Sequence, residues 1–230
     1  MSKLQIHRPF FVFNPKSFLY GNELLELALI ADDLAREYPV SILVTAPYAD
    51  ISNISRETEN IIVTAQHMNG IRPGVGMGHV LPASLFEAGA RATFLNHAEN
   101  PMTLSDLSNA VQIADELGIL TVVCADSVIE AQAVSMLEPD IVLCEPTELI
   151  GTGQTSDRDY IKETNKAIKK VNPNILVMQA AGISDAEDVY RTISLEADGT
   201  GCTSGIVKAK NPKQMLMDMV KAAAGVGKNR

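Results

Sequence analysis

Three side chains of this sequence stand where an apolar run gives out, and together they form a set able to move protons. Lys16 follows the run at residues 10–14, His97 follows the run at 90–96, and Glu145 closes the run Asp140–Ile141–Val142–Leu143–Cys144. A carboxylate beside an imidazole and an ammonium suits proton abstraction next to a carbonyl. The carboxylate takes the proton while the two electrophiles hold the negative charge of the enediolate. Asn14, two residues before Lys16, and Glu99, two after His97, lie close enough in sequence to position substrate or partner. Each residue alone also has a plainer role. Lys16 would serve as a solvated cation, His97 as a hydrogen-bonded ring, Asn14 as a turn former and Glu145 as the solvated end of a βα turn. Their shared placement at strand ends is what favours chemistry.

The segment after Glu145 adds to that reading. Pro146 has no N–H with which to continue a strand, and Gly151, Thr152 and Gly153 follow. A loop with a stiff start and a soft end, covering 146–153, is expected to close over the carboxylate as a lid.

Such side chains need a scaffold that brings strand ends together. Apolar runs recur at 10–14, 40–46, 60–66, 90–96, 119–125, 140–144, 175–180 and 198–203. Between and after them lie segments of helical character: a stripe of Leu24, Leu27, Ala28, Ala31 and Leu34, then 50–59, 82–88, 103–118, 128–137, 156–171, 184–195 and 211–224. Leu104, Leu107, Val111, Ala114 and Leu117 form the stripe of the fourth helix, with Gly118 as its stop. Ser184 with Glu187, and Asn211 with Gln214, read as capping boxes. The strands are continuous apolar runs, as in a parallel sheet buried on both faces. Eight strand–helix alternations predict a single (β/α)8 TIM barrel over residues 1–230. An open doubly wound sheet shares that alternation. However, Gly74, Gly76 and Gly78 follow a polar stretch rather than a strand, so its phosphate-binding fingerprint is missing.

In such a barrel all strand C-termini face one mouth. Small residues then gather in the last three loops: Gly151 and Gly153, then Ala181, Gly182, Ile183 and Ser184, then Thr203, Ser204, Gly205 and Ile206. Backbone N–H groups in such loops suit an anion. Plain turn chemistry would also account for Gly201 and Gly205, and capping for Ser184. His67 and His79, twelve residues apart, lack metal-ligand spacing, and Met215, Met219 and Ala222 read as a core stripe.

The net charge of −9, with no basic block, disfavours nucleic acid or an anionic membrane as partner. No apolar stretch reaches membrane-helix length, and no secretory signal is seen at the N-terminus. Cys124, Cys144 and Cys202 are scattered and read as buried small hydrophobes of a reducing cytoplasm.

These motifs together resemble the triosephosphate isomerase family. They are Asn14-x-Lys16, Asn96–His97-x-Glu99, Glu145–Pro146 with Leu149–Ile150–Gly151–Thr152–Gly153, and Ala181–Gly182–Ile183–Ser184. Shortened helices, Ala65–Gln66–His67, Gly78–His79–Val80–Leu81–Pro82 and Thr203–Ser204–Gly205 resemble its compact archaeal branch. The resemblance spans about 10–223. It implies a barrel without cofactor or metal that interconverts dihydroxyacetone phosphate and glyceraldehyde 3-phosphate. Glu145 would be the base, His97 a neutral electrophile, Lys16 the cation and Asn14 a substrate-positioning group. Glu99 would orient Lys16, and N–H groups of Gly151, Ser184, Ser204 and Gly205 would hold the phosphate. Four places depart from the family pattern: Pro15, Met77 in a loop that crosses between subunits, Ala98 where a serine usually follows the histidine, and Gln179–Ala180–Ala181. They keep two alternatives open, an aldose–ketose isomerase for a related sugar phosphate such as a tetrulose phosphate, or a silent phosphate-binding barrel. The resemblance also implies a homodimer or homotetramer joined through the 67–79 loop.

Overall fold

The computed structural model describes residues 3–146, 149 and 158–227. The expected lid at 146–153, apart from Pro146 and Leu149, lies outside them, as do Gly151 and the start of the sixth helix.

Eight parallel strands close on themselves: β1 Phe10–Phe13, β2 Ser41–Ala46, β3 Ile62–Ala65, β4 Ala92–Leu95, β5 Leu120–Ala125, β6 Ile141–Cys144, β7 Leu176–Gln179 and β8 Gly199–Cys202. β1 pairs with β2 on one side and β8 on the other. The predicted barrel is therefore the observed one. The helices are α1 Gly21–Glu37, α2 Tyr48–Glu57, α3 Pro82–Glu87, α4 Leu104–Leu117, α5 Val128–Ser135, α6 Arg158–Val171, α7 Ala186–Ser194, α8 Ser204–Val207 and α9 Pro212–Gly227. The short α8, inside the eighth loop, has no periodicity by which a sequence could announce it.

Strand alternation sorts the core into two layers. Phe10, Val12, Leu43, Phe94, Val122, Leu143 and Met178 fill the barrel interior. Phe11, Phe13, Ile42, Val44 and Val123 face the helices. β8 reads weakly because its neighbours occupy the space. A Cβ on Gly199 would meet the Phe10 ring at 2.5 Å, and one on Gly201 would meet Met178 Cε and the Val12 carbonyl at 2.6 Å. Gly201 is thus a packing glycine within a strand, not the turn residue its sequence context allows.

The α1 stripe is buried as expected, and Met219 is fully buried with Met215 and Ala222 packed partly against the core. Leu104 is the exception in α4, being 72% exposed. It is the first residue of the helix, and side chains lean toward the N-terminus, so this one projects past the layer below. Thr103 caps α4 by accepting from Asp106 N–H, and Gly118 ends it at φ +78°.

Two capping expectations are corrected. Asp185, not Ser184, caps α7, accepting from the N–H groups of Glu187 and Asp188. Asn211 Oδ1 accepts from Gln214 N–H as expected, but the Gln214 side chain donates to Asp218 and does not accept from Asn211 N–H, so the box is half formed.

Candidate active site

The chain turns sharply as it leaves β1. Asn14 Oδ1 accepts from Lys16 N–H at 3.0 Å, Pro15 is buried, and Lys16 takes φ +49°, uncommon for a residue with a Cβ. Gln66, just after β3, donates to the Lys16 carbonyl at 2.7 Å and pins the turn from across the rim. Asn14 is therefore a turn former that also lines the cavity below. Asn96 repeats the device after β4, at φ +57°, with its side chain donating to the Cys124 carbonyl and accepting from Met102 N–H. Leaving β6, Glu145 is held by its own N–H, which donates to the Ala125 carbonyl at 3.0 Å.

These turns bring Asn14, Lys16, His97, Glu99 and Glu145 to one cavity of about 270 Å³ at the C-terminal mouth of the barrel. Its floor is apolar, formed by Val12, Phe94, Leu143 and Met178, the topmost layer of the interior. Lys16 Nζ donates to Glu99 Oε1 at 2.7 Å, joining the first and fourth loops. Glu99 N–H donates to His97 Nδ1 at 3.1 Å. A nitrogen that accepts carries no proton, so the neutral ring keeps its proton on Nε2.

The electrostatics separate the two acid–base groups. Burial pushes the Glu145 carboxyl up, the Glu99 charge adds to the rise, and Lys16 opposes it. Burial and then the Lys16 charge hold His97 below its ordinary value, against Glu99. Burial would raise Glu99, but its hydrogen bond to Lys16 and the charges of Lys16 and His97 outweigh that, and it lies low. The site therefore holds a proton-accepting carboxylate, a neutral imidazole donor and an ammonium around one apolar-floored cavity.

At the other end of the cavity the expected anion site is only partly formed. Gly182, Ile183, Thr203 and Ser204 line it. Ser184 does not; its N–H and hydroxyl both donate to Asp188 Oδ2, at 3.0 and 2.7 Å, because Asp188 lies one helical turn on and reaches back. Gly205 also departs from expectation. It does not line the cavity, and a Cβ there would meet the Ser184 carbonyl at 2.5 Å, so close packing of the seventh and eighth loops requires the glycine. Gly151 lies outside the described residues.

No site role was read in sequence for Phe18 or Lys208, which line the cavity, or for Gln66 beyond its place in the archaeal-like segment. Lys208, in the loop already rich in small residues, was open to notice as a basic side chain near an anion site. Gln66 carried no further signal, because its partner is a backbone carbonyl fifty positions away. Among the described residues no group of three or more His, Cys, Asp or Glu is arranged to hold a metal ion, and no helix is long and apolar enough to cross a membrane. The three cysteines are free thiols buried in the barrel wall, Cys144 pushed up to about 12 by burial and Cys202 to about 11.

A (β/α)8 barrel with this trio at its mouth defines a class, the aldose–ketose isomerases that work by proton transfer beside a carbonyl. The comparisons narrow it. The family model described as triosephosphate isomerase matches residues 10–223. The triosephosphate isomerase of Methanobacterium bryantii is 38% identical over 217 residues, 92% of this chain and 96% of that one. That of Methanocaldococcus jannaschii is 36% identical over 204 residues, 87% and 93% of the two chains, and that of Methanopyrus kandleri 36% over 212, 90% and 94%. The chain belongs to the triosephosphate isomerase family.

Proposed function

We propose that this chain interconverts dihydroxyacetone phosphate and D-glyceraldehyde 3-phosphate, with Glu145 as the base. Its carboxylate removes a proton from C1 of the ketose, the electron pair moves into a C1–C2 double bond, and the C2 oxygen becomes an enediolate oxygen. His97 Nε2–H donates to that oxygen and Lys16 supplies positive charge. His97 gives its Nε2 proton to the C2 oxygen and takes the C1 hydroxyl proton in its place, while Glu145 returns the carbon-bound proton to C2, so the C1 oxygen becomes the aldehyde and the C2 oxygen a hydroxyl. The reaction balances as a shift of hydrogen between neighbouring carbons and needs no external oxidant.

The observation that carries the reading is the joint placement of Glu145, His97 and Lys16 in one cavity, with His97 held as the tautomer that can donate from Nε2. Glu99 orients Lys16 through their 2.7 Å contact, and Asn14 shapes the turn that presents it. Ser204 lies at the phosphate end. Gly151 and the rest of 146–153 are assigned there on the motif alone, as a lid that would keep water from the enediolate. The test is a coupled assay with D-glyceraldehyde 3-phosphate beside a tetrose phosphate. Turnover of the triose is expected to dominate. A far higher kcat/KM for the four-carbon sugar, or no turnover of either, would overturn the reading.

The same reading includes self-association through the 67–79 loop. Its tip residues Val75 and Met77 are fully exposed, which disfavours them in a lone subunit. A second cavity of about 200 Å³, lined by Asn14, Lys16, Thr45, Tyr48, Gln66 and Glu99, offers such a tip a seat, and the buried Thr45 hydroxyl there has no hydrogen-bond partner among the described residues. A cytoplasmic location fits the three free thiols.

A further inference from the structure

Lys208 follows α8, and its N–H donates to the Ser204 carbonyl at 3.1 Å, which fixes its backbone against the eighth loop. Lys208 is exposed and lines the catalytic cavity together with Gly182, Thr203 and Ser204. Among the described residues its ammonium has neither an ion pair nor a hydrogen bond, whereas the Lys16 ammonium is 2.7 Å from Glu99.

The charges around the cavity make such a free cation consequential. Among the described residues the other charged groups lining it are Lys16, Glu99 and Glu145, one cation against two carboxylates, in a chain of net charge −9. A phosphate monoester brings a further charge of about −1.5 to −2. Backbone donors at that end are fewer than the loop sequence suggests, because Ser184 N–H is committed to Asp188 and neither Ser184 nor Gly205 lines the cavity.

We propose that Lys208 is a second substrate cation, which takes the phosphate dianion and so selects phosphorylated over neutral sugars at this site. This rests on the isomerase reading above. It divides the work between two lysines. Lys16 is held by Glu99 near the reacting carbons. Lys208, on a long flexible stem, meets the phosphate as a point charge.

Two measurements test it on the whole protein. Calorimetric binding of inorganic phosphate is expected to weaken about tenfold or more in Lys208→Met and to recover in Lys208→Arg. With D-glyceraldehyde 3-phosphate, Lys208→Met is expected to raise KM by a similar factor at nearly constant kcat, while its slow rate on unphosphorylated D-glyceraldehyde matches wild type. Equal phosphate affinity in wild type and Lys208→Met, including no detectable binding by either, overturns the proposal. So does a loss confined to kcat. Phosphate binding that depends on Lys208 in a protein with no isomerase turnover would uphold the lysine's role and refute the isomerase reading, so the two failures are distinct.

Discussion

Lys16 and Glu99, eighty-three positions apart in the chain, meet at 2.7 Å across the barrel mouth, and Glu99 also touches His97. Its carboxylate holds the Lys16 ammonium, and its N–H fixes the His97 tautomer. The backbone contact survives a side-chain change, so Glu99→Gln separates the two duties. We expect kcat/KM for the triose phosphate to fall by roughly threefold to tenfold, the loss of one charge-assisted hydrogen bond at a partly exposed site. Steady-state kinetics check this. Unchanged kcat/KM would mean that Lys16 needs no orienting partner.

The pH profile follows from the same field. Burial raises Glu145, so the base is ionised only above a pKa higher than the ordinary 4.5, and kcat/KM should fall as pH drops through that raised value. Removing the Glu99 charge, which adds to the rise, should move this acid limb of Glu99→Gln to lower pH. Burial and the Lys16 charge hold His97 below its ordinary 6.5, which favours the neutral ring. An NMR titration of His97 should give a midpoint below 6.5. A midpoint at or above it would contradict the neutral-donor role.

Stability at low pH should depend on Asp198, at the opposite end of the barrel from the site. Burial would raise it, but the Val177 N–H, Lys169 and Arg8 outweigh that and hold it below 3.8. A group depressed in the folded state adds stability that is full above its unfolded pKa and lost as pH falls through its folded one. Asp198→Asn should therefore cost about 2–3 kcal/mol in urea unfolding at pH 7. The difference should shrink as pH falls below 3.8. An equal cost at both pH values would refute the charge as its source.

For the 67–79 loop, Met77→Asp is expected to shift the protein toward monomers in sedimentation. Met77→Thr should leave turnover unchanged or improve it. A single species of one subunit in wild type, or a severe loss in Met77→Thr, would contradict the proposed use of that loop.

Much of this was legible in the chain. The strands before β8 declared themselves as largely apolar runs buried on both faces, and β8 was faint because Phe10 and Met178 fill the space its glycines leave. Lys16, His97 and Glu145 were legible because a barrel turns position at a strand's end into position in space. The phosphate loops were less so. Nothing in the residue types told that Asp188 would take the Ser184 N–H or that Gly205 would pack against the Ser184 carbonyl, because both depend on how two loops settle against each other on a finished barrel. Gln66 and Lys208 escaped for a related reason. Each matters through a partner or a space that exists only once the barrel closes.

The central claim is that Glu145 carries the proton. Glu145→Asp withdraws the carboxylate by one methylene, a displacement on the order of 1 Å that costs about 10² in rate where geometry governs proton transfer. The direct test is steady-state kinetics of Glu145→Asp with D-glyceraldehyde 3-phosphate. The account predicts a kcat about a hundredfold lower at nearly unchanged KM, and an unchanged kcat would contradict it.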